Sequence, residues 1–168
     1  IVPHMAMSAG TLLSCIGKEI VMGRHSSLGP FDPQLSGVSA YEVLQQIETA
    51  KQEIIDNPNT ALFWQQFIGK YPPLFLRECT KVIELSEEVA RKWLQGGGMT
   101  TDNDIINEII NFFNSNEHTK EHARHIDMDR AKAIGLTISA LEDDDKLQEY
   151  VLSIHHAYTI CFQNTNRI

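Results

Sequence analysis

No basic run occurs anywhere in this 168-residue chain, whose 14 lysines and arginines face 22 acidic residues for a formal net charge of −8. A surface that tracks phosphates needs clustered cations, so nucleic acid is not an expected partner. No stretch reaches the roughly 18 to 20 apolar residues of a membrane span, and the first residues lack a signal-peptide pattern. Cysteine is scarce. Cys15, Cys79 and Cys161 stand far apart, each among apolar neighbours, which suits reduced core thiols and a reducing compartment better than a disulfide framework. There is no internal repeat and no low-complexity segment. What is present is an apolar fraction of 42%, enough to build the core of one domain, and an acidic cluster at Glu142, Asp143, Asp144 and Asp145.

The chain begins IVPHMAMSAGTLLSCIGKEIVMG. An apolar run over 1–3, small residues Ala6, Ala9 and Gly10 around Ser8, and an apolar segment over 12–16 outline a strand, a tight turn and a helix. Ser8 then has two readings. It is a nucleophile whose hydroxyl stands clear of the backbone, next to a helix N-terminus that would favour a developing oxyanion. Alternatively it is an ordinary N-cap that accepts a bond from an orphan amide. The stretch alone leaves both open.

Further along, EIVM over 19–22 predicts a short buried strand, and GRHSSLGPFDPQLSG a structured loop. Ser39, with Glu42 three residues on, forms a capping box that opens a helix over 39–56. Helices are expected over 60–68, 73–95 and 102–113, the last two split by Gly96, Gly97 and Gly98. Short strands are expected at 124–126 and 136–138, around a small helix that Asp127 caps and Gly135 stops. A final helix is expected over 146–161. The whole reads as a helix-rich α/β chain with few short strands.

In the helix from Ser39, at about 100° per residue, Leu44, Ile47, Ile54 and Ile55 fall on one stripe with Lys51 in its middle. Snorkelling explains such a lysine, with the stem packed and the ammonium in water. Desolvation offers a second explanation, because it lowers the pKa and lets the amine take a proton from a serine. His118, His122 and His125 have helix-compatible spacing. No cysteine or consistent carboxylate accompanies them, so a structural or solvated role outweighs a metal site. A pairing of His25 with a serine lacks an evident orienting acid.

Taken together, AMSAGTLLSCIGKEIVMGRHSSLGPFDPQL resembles the nucleophile region of the ClpP-class serine peptidases. It is most similar to the prokaryotic serine dehydrogenase proteinases, relatives of signal peptide peptidase SppA. HARHIDMDRAKAIGLTISAL resembles the closing strand-helix-strand of that family, a pattern shared loosely across the crotonase-like superfamily. Gly17 and Lys18 depart from the family's acidic residue before the strand, and His122 matches a family histidine to which no role is assigned.

The resemblance implies a ClpP/crotonase-like fold in which residues 1–168 are the C-terminal part of a single peptidase domain. The N-terminal βα units, with a glycine-rich turn that supplies oxyanion amides, would precede it. It implies that Ser8 is the nucleophile, that Lys51 falls where the relatives' Ser-Lys dyad takes its lysine, and that Ala9 gives one oxyanion-hole amide. It implies a peptide or protein substrate, a homo-oligomer, and no cofactor or metal. The location implied is cytoplasmic, or on the cytoplasmic side of a membrane through a segment before this one. Two alternatives stand beside it: a non-catalytic binding or scaffold module of the same fold, and acyl-CoA chemistry, although crotonase enzymes do not rely on a serine at this turn.

Overall fold

A computed structural model describes residues 1–114 and 125–165. Val2 bridges in parallel to Met22, and the chain then forms β1 (Met5–Ala6), the strand that runs into Ser8. The strand expected over 1–3 is therefore displaced. Only Val2 of that triplet pairs, and Pro3 has no N–H to add to a ladder. Next come α1 (Ala9–Ser14), β2 (Ile20–Met22) and β3 (Ser27–Leu28). β1 pairs in parallel with β3, and β2 pairs in parallel with β6 (Ile138–Ala140). The Val2–Met22 bridge and an antiparallel bridge from Leu28 to Ile126 join these pairs into one layer, ordered β6, β2, residues 2–6, β3, Ile126. A parallel pair needs a crossover, and α1 supplies it between residues 2–6 and β2.

The expected loop over GRHSSLGPFDPQLSG holds more order than that. Besides β3 it contains a hairpin of β4 (Gln34–Leu35) and β5 (Val38–Ser39), turned by Ser36 and Gly37 at φ of 55° and 79°. Consecutive left-handed residues are the geometry of a tight hairpin turn. α2 (Ala40–Asp56) starts with the N-cap half of the expected capping box: the Glu42 N–H donates to Ser39 Oγ, and the Ser39 hydroxyl donates to Asp32 Oδ1 at 2.6 Å. α3 (Ala61–Ile68), α4 (Pro73–Gly96) and α5 (Asn103–Asn114) follow within a residue of expectation. α6 (Met128–Ala133) is capped by Asp127, which accepts from the Arg130 N–H at 2.9 Å, and Gly135 at φ 96° ends it. β6 begins two residues later than expected because Leu136 turns into the core, while Ile138 is the residue paired with Ile20. α7 (Asp145–Thr165) closes the chain and buries none of its residues.

The main core joins Val2, Ile20, Met22 and Leu28 of the layer to Leu94 of α4 and Ile106, Ile109 and Phe113 of α5. Phe31 stacks on Phe113 with ring centroids 4.5 Å apart. A second cluster, Ala40, Val43 and Cys79, holds α2 to α4. Cys15 and Cys79 are core thiols, and burial pushes Cys15 up to about 12, but Cys161 on α7 is exposed, against expectation. His118, His122 and Arg124 lie outside the described residues, and Ile126 forms a bridge rather than a strand. Among the described residues no cluster of His, Cys, Asp or Glu is placed to hold a metal, and no helix is long and apolar enough to cross a membrane.

Candidate active site

Ser8 joins β1 to α1 at φ 50°, ψ −115°, a conformation that L residues rarely adopt. For a residue with a Cβ this costs about 1–3 kcal/mol and persists only where the surroundings enforce it. Its side chain makes no cap bond, so the hydroxyl is not engaged as a helix N-cap, and it stands exposed. A strained strand-to-helix turn that lifts a serine hydroxyl above a sheet is the geometry of a nucleophile elbow.

The surroundings that enforce the turn are specific. Thr11 is fully buried, and its Oγ1 lies 2.7 Å from the Ala6 carbonyl and 2.8 Å from the Gly29 carbonyl, while accepting the Gly29 N–H at 3.1 Å. One hydroxyl thus ties α1 to the strand before the elbow and to the chain after β3. The Gly29 N–H also lies 2.8 Å from the Ala6 carbonyl, and the Gly10 N–H donates to the Met7 carbonyl at 2.8 Å. A Cβ on Gly29 would lie 2.5 Å from Met7 Sδ and 3.2 Å from Met7 Cα, so a larger residue there would have to displace the Met7 side chain and press on the backbone just before the elbow. Sequence reasoning missed both residues. The available signal was a β-branched hydroxyl inside the apolar run TLL and a glycine directly after the SL strand.

Ala9 is exposed at the start of α1, where an amide has no intrahelical acceptor. Its N–H makes no hydrogen bond among the described residues, so it is available to an incoming oxygen. Ser8 and Ala9 line a cleft of about 280 Å³ whose other walls include Leu12, Phe31, Pro33, Val82, Leu85 and Val89. An apolar trough beside a raised hydroxyl suits a side chain or extended segment of a bound chain. Asp32 is the charged residue in that lining, and it already accepts the Ser39 hydroxyl. Nearby, Tyr41 donates to Glu87 Oε1 at 3.2 Å; burial first, and then the Glu87 charge, push its phenol well above the usual range. It is therefore a proton donor to Glu87 and not a base.

The structure does not join Lys51 to Ser8. The inner face of α2 runs through Val43, Ile47, Ala50 and Ile54, and at about 100° per residue Lys51 sits roughly 80° off the Val43 line. Ile55 beside it is 73% exposed, whereas Leu44, at a similar angle nearer the helix start, is half-buried against the Ala40, Val43 and Cys79 cluster. The expected burial of Lys51 is thus corrected: small Ala50 and Val43 carry the packing that the larger residues suggested lay elsewhere. The ammonium pairs with Glu48 one turn back, both side chains being mostly exposed, an arrangement that contributes little to stability. His25 is exposed. A serine-histidine pair does occur at Ser27, whose Oγ lies 2.8 Å from His125 Nδ1, but Ser27 is a buried strand residue.

Compared with known proteins, residues 1–65 match the model of the family described as ClpP-like SDH-type serine proteinase. The chain is 37% identical over 62 residues to the uncharacterized protein MJ0137 of Methanocaldococcus jannaschii, covering 37% of this chain and 22% of that protein. It is 34% identical over 99 residues to the uncharacterized protein MJ1495 of the same organism, covering 57% of this chain and 34% of the relative. The chain therefore spans about a third or less of the curated relatives it matches. No solved structure matches it.

Proposed function

We propose that residues 1–168 are the C-terminal part of a ClpP/crotonase-like serine peptidase domain that hydrolyses peptide bonds with a Ser-Lys dyad. The single observation behind this reading is the strained turn at Ser8, enforced by Thr11 and Gly29, with a free hydroxyl above an apolar cleft. Ser8 Oγ attacks the peptide carbonyl carbon and its proton passes to a neutral lysine amine. The carbonyl oxygen takes up the negative charge and is met by the Ala9 N–H; a second donor belongs to the glycine-rich turn of the preceding units. Loss of one such donor costs roughly 3–4 kcal/mol of transition-state stabilisation. The lysine then protonates the leaving amine, and water releases the acyl group from Ser8.

Lys51 is the base in this reading on one condition. Its amine must leave Glu48 and lose water, so the outer flank of α2 must be covered by chain outside these residues or by another copy. A peptide or protein is the substrate, the assembly is a homo-oligomer, and the location is the cytoplasm or the cytoplasmic side of a membrane. The exposed Lys51–Glu48 pair favours a second reading, a binding module of the same fold without turnover.

A serine-directed fluorophosphonate separates the two. In the protein that carries this chain, the adduct should map to Ser8, and Ser8→Ala should lose both the adduct and peptide hydrolysis with its fold retained. An adduct elsewhere, or full activity in Ser8→Ala, contradicts the assignment.

A further inference from the structure

Ser8 and Ala9 share their cleft with one face of α4, a helix more than 60 residues further along the chain. Val82, Leu85, Ser86 and Val89 are spaced i, i+3, i+4 and i+7, so they lie on one side of that helix and form a wall. The wall is anchored. Cys79, Ala90 and Leu94 of α4 are fully buried, and Glu87 Oε1 accepts from the Tyr41 hydroxyl at 3.2 Å and the Asn114 amide at 3.1 Å. A subsite built on a packed helix holds its shape better than one built on a loop.

Within this wall Ser86 differs in size and polarity. Its hydroxyl makes no hydrogen bond among the described residues, so its contribution is its small volume. Val82 and Val89 stand one turn away on either side, and a larger residue at 86 would fill the room between them. A volume of about 280 Å³ is at the low end for ligand pockets, which suits one side chain and not a folded partner. As Ser8 attacks, the side chain on the carbon next to the carbonyl is held close to both the Ser8 hydroxyl and the Ala9 amide. We propose that the cleft receives this side chain of the substrate, that it selects a large apolar one, and that Ser86 sets the upper size. The proposal rests on the peptidase reading of Ser8.

The test uses acetyl-dipeptide diphenyl phosphonates, in which Ser8 Oγ bonds to phosphorus as a phenol leaves. The side chain beside phosphorus is that of alanine, leucine, phenylalanine, lysine or glutamate. In the protein that carries this chain, the leucine and phenylalanine probes should label Ser8 at least about tenfold faster than the alanine probe. The glutamate probe should be slowest, because the charged group in the cleft is the Asp32 carboxylate. Ser86→Leu should lower the phenylalanine-to-alanine rate ratio at least about tenfold, and Ser86→Ala should keep it. Val82→Ala widens the same wall and should raise the ratio, which keeps the test decisive if Ser86→Leu does not fold. Equal rates for all probes, a lysine probe that is fastest, or a ratio that neither Ser86→Leu nor Val82→Ala moves overturns this proposal alone. So does a Ser8 that reacts with a fluorophosphonate but with none of these probes. A Ser8 that reacts with neither overturns the peptidase reading and this proposal with it.

Discussion

The turn at Ser8 and the outer flank of α2 at Lys51 belong to one proposed dyad, yet they are built in opposite ways. Ser8 is held in an unfavourable conformation by a buried threonine hydroxyl, a glycine that permits a close approach, and the strands on either side. Among the described residues, the Lys51 ammonium is held by Glu48 alone, at an exposed surface. The lesson is that pre-organisation is uneven: the proposed nucleophile is shaped by this chain's own core, and the proposed base waits for a covering surface. Substitutions on the two sides should therefore behave differently.

The largest effect on stability is expected at Thr11. Thr11→Val keeps the shape but leaves the Gly29 carbonyl without its donor, while the Gly29 N–H and the Ala6 carbonyl keep each other, and should cost about 1–3 kcal/mol in urea unfolding. A cost under about 0.5 kcal/mol would mean the elbow is not pinned this way. Gly29→Ala should follow at about 1 kcal/mol, because the Met7 side chain must move aside and its Cα would lie 3.2 Å from the new Cβ. On the other side of the comparison, Lys51→Met should change stability by less than about 0.5 kcal/mol, since the ion pair it removes is exposed. In the complete protein the same change should abolish turnover. If Lys51→Met keeps activity, the base lies elsewhere.

The smallest effect concerns pH. The Arg24 N–H donates to Glu142 Oε1 at 2.7 Å and is the main reason its carboxyl titrates below the usual range. A lowered folded pKa stabilises the fold above the ordinary carboxylate value, and the contribution is lost as pH falls through the folded value. Glu142→Gln should therefore be slightly less stable than wild type at neutral pH and indistinguishable from it in strong acid, as read by thermal unfolding.

Much of the helical framework was legible because its signals are local. Ser39 with Glu42, Asp127 and Gly135 each fix a helix end through bonds within a few residues. The strands were less so, since β1, β3, β4 and β5 have two residues each and no alternation can show over that length. For the site, the small residues around Ser8 announced a turn, but its φ is imposed by Thr11 and Gly29, and Gly29 belongs to a distant stretch of chain. Lys51 was misplaced because periodicity was read from large side chains, while Ala50 and Val43 mark the buried line. Cys161 looked like a core thiol from its neighbours, but α7 has nothing packed over it that buries a residue.

The central claim is that Ser8 is a strained elbow residue and not a helix cap, and equilibrium unfolding of Ser8→Gly tests it most directly. A cap exchanged for glycine loses a few tenths of a kcal/mol. A strained residue at positive φ exchanged for glycine should gain about 1 kcal/mol, relief of strain outweighing the entropy that glycine adds to the unfolded chain. Ser8→Gly more stable than wild type, with Ser8→Ala near wild type, is the predicted result. Ser8→Gly less stable than both would contradict it.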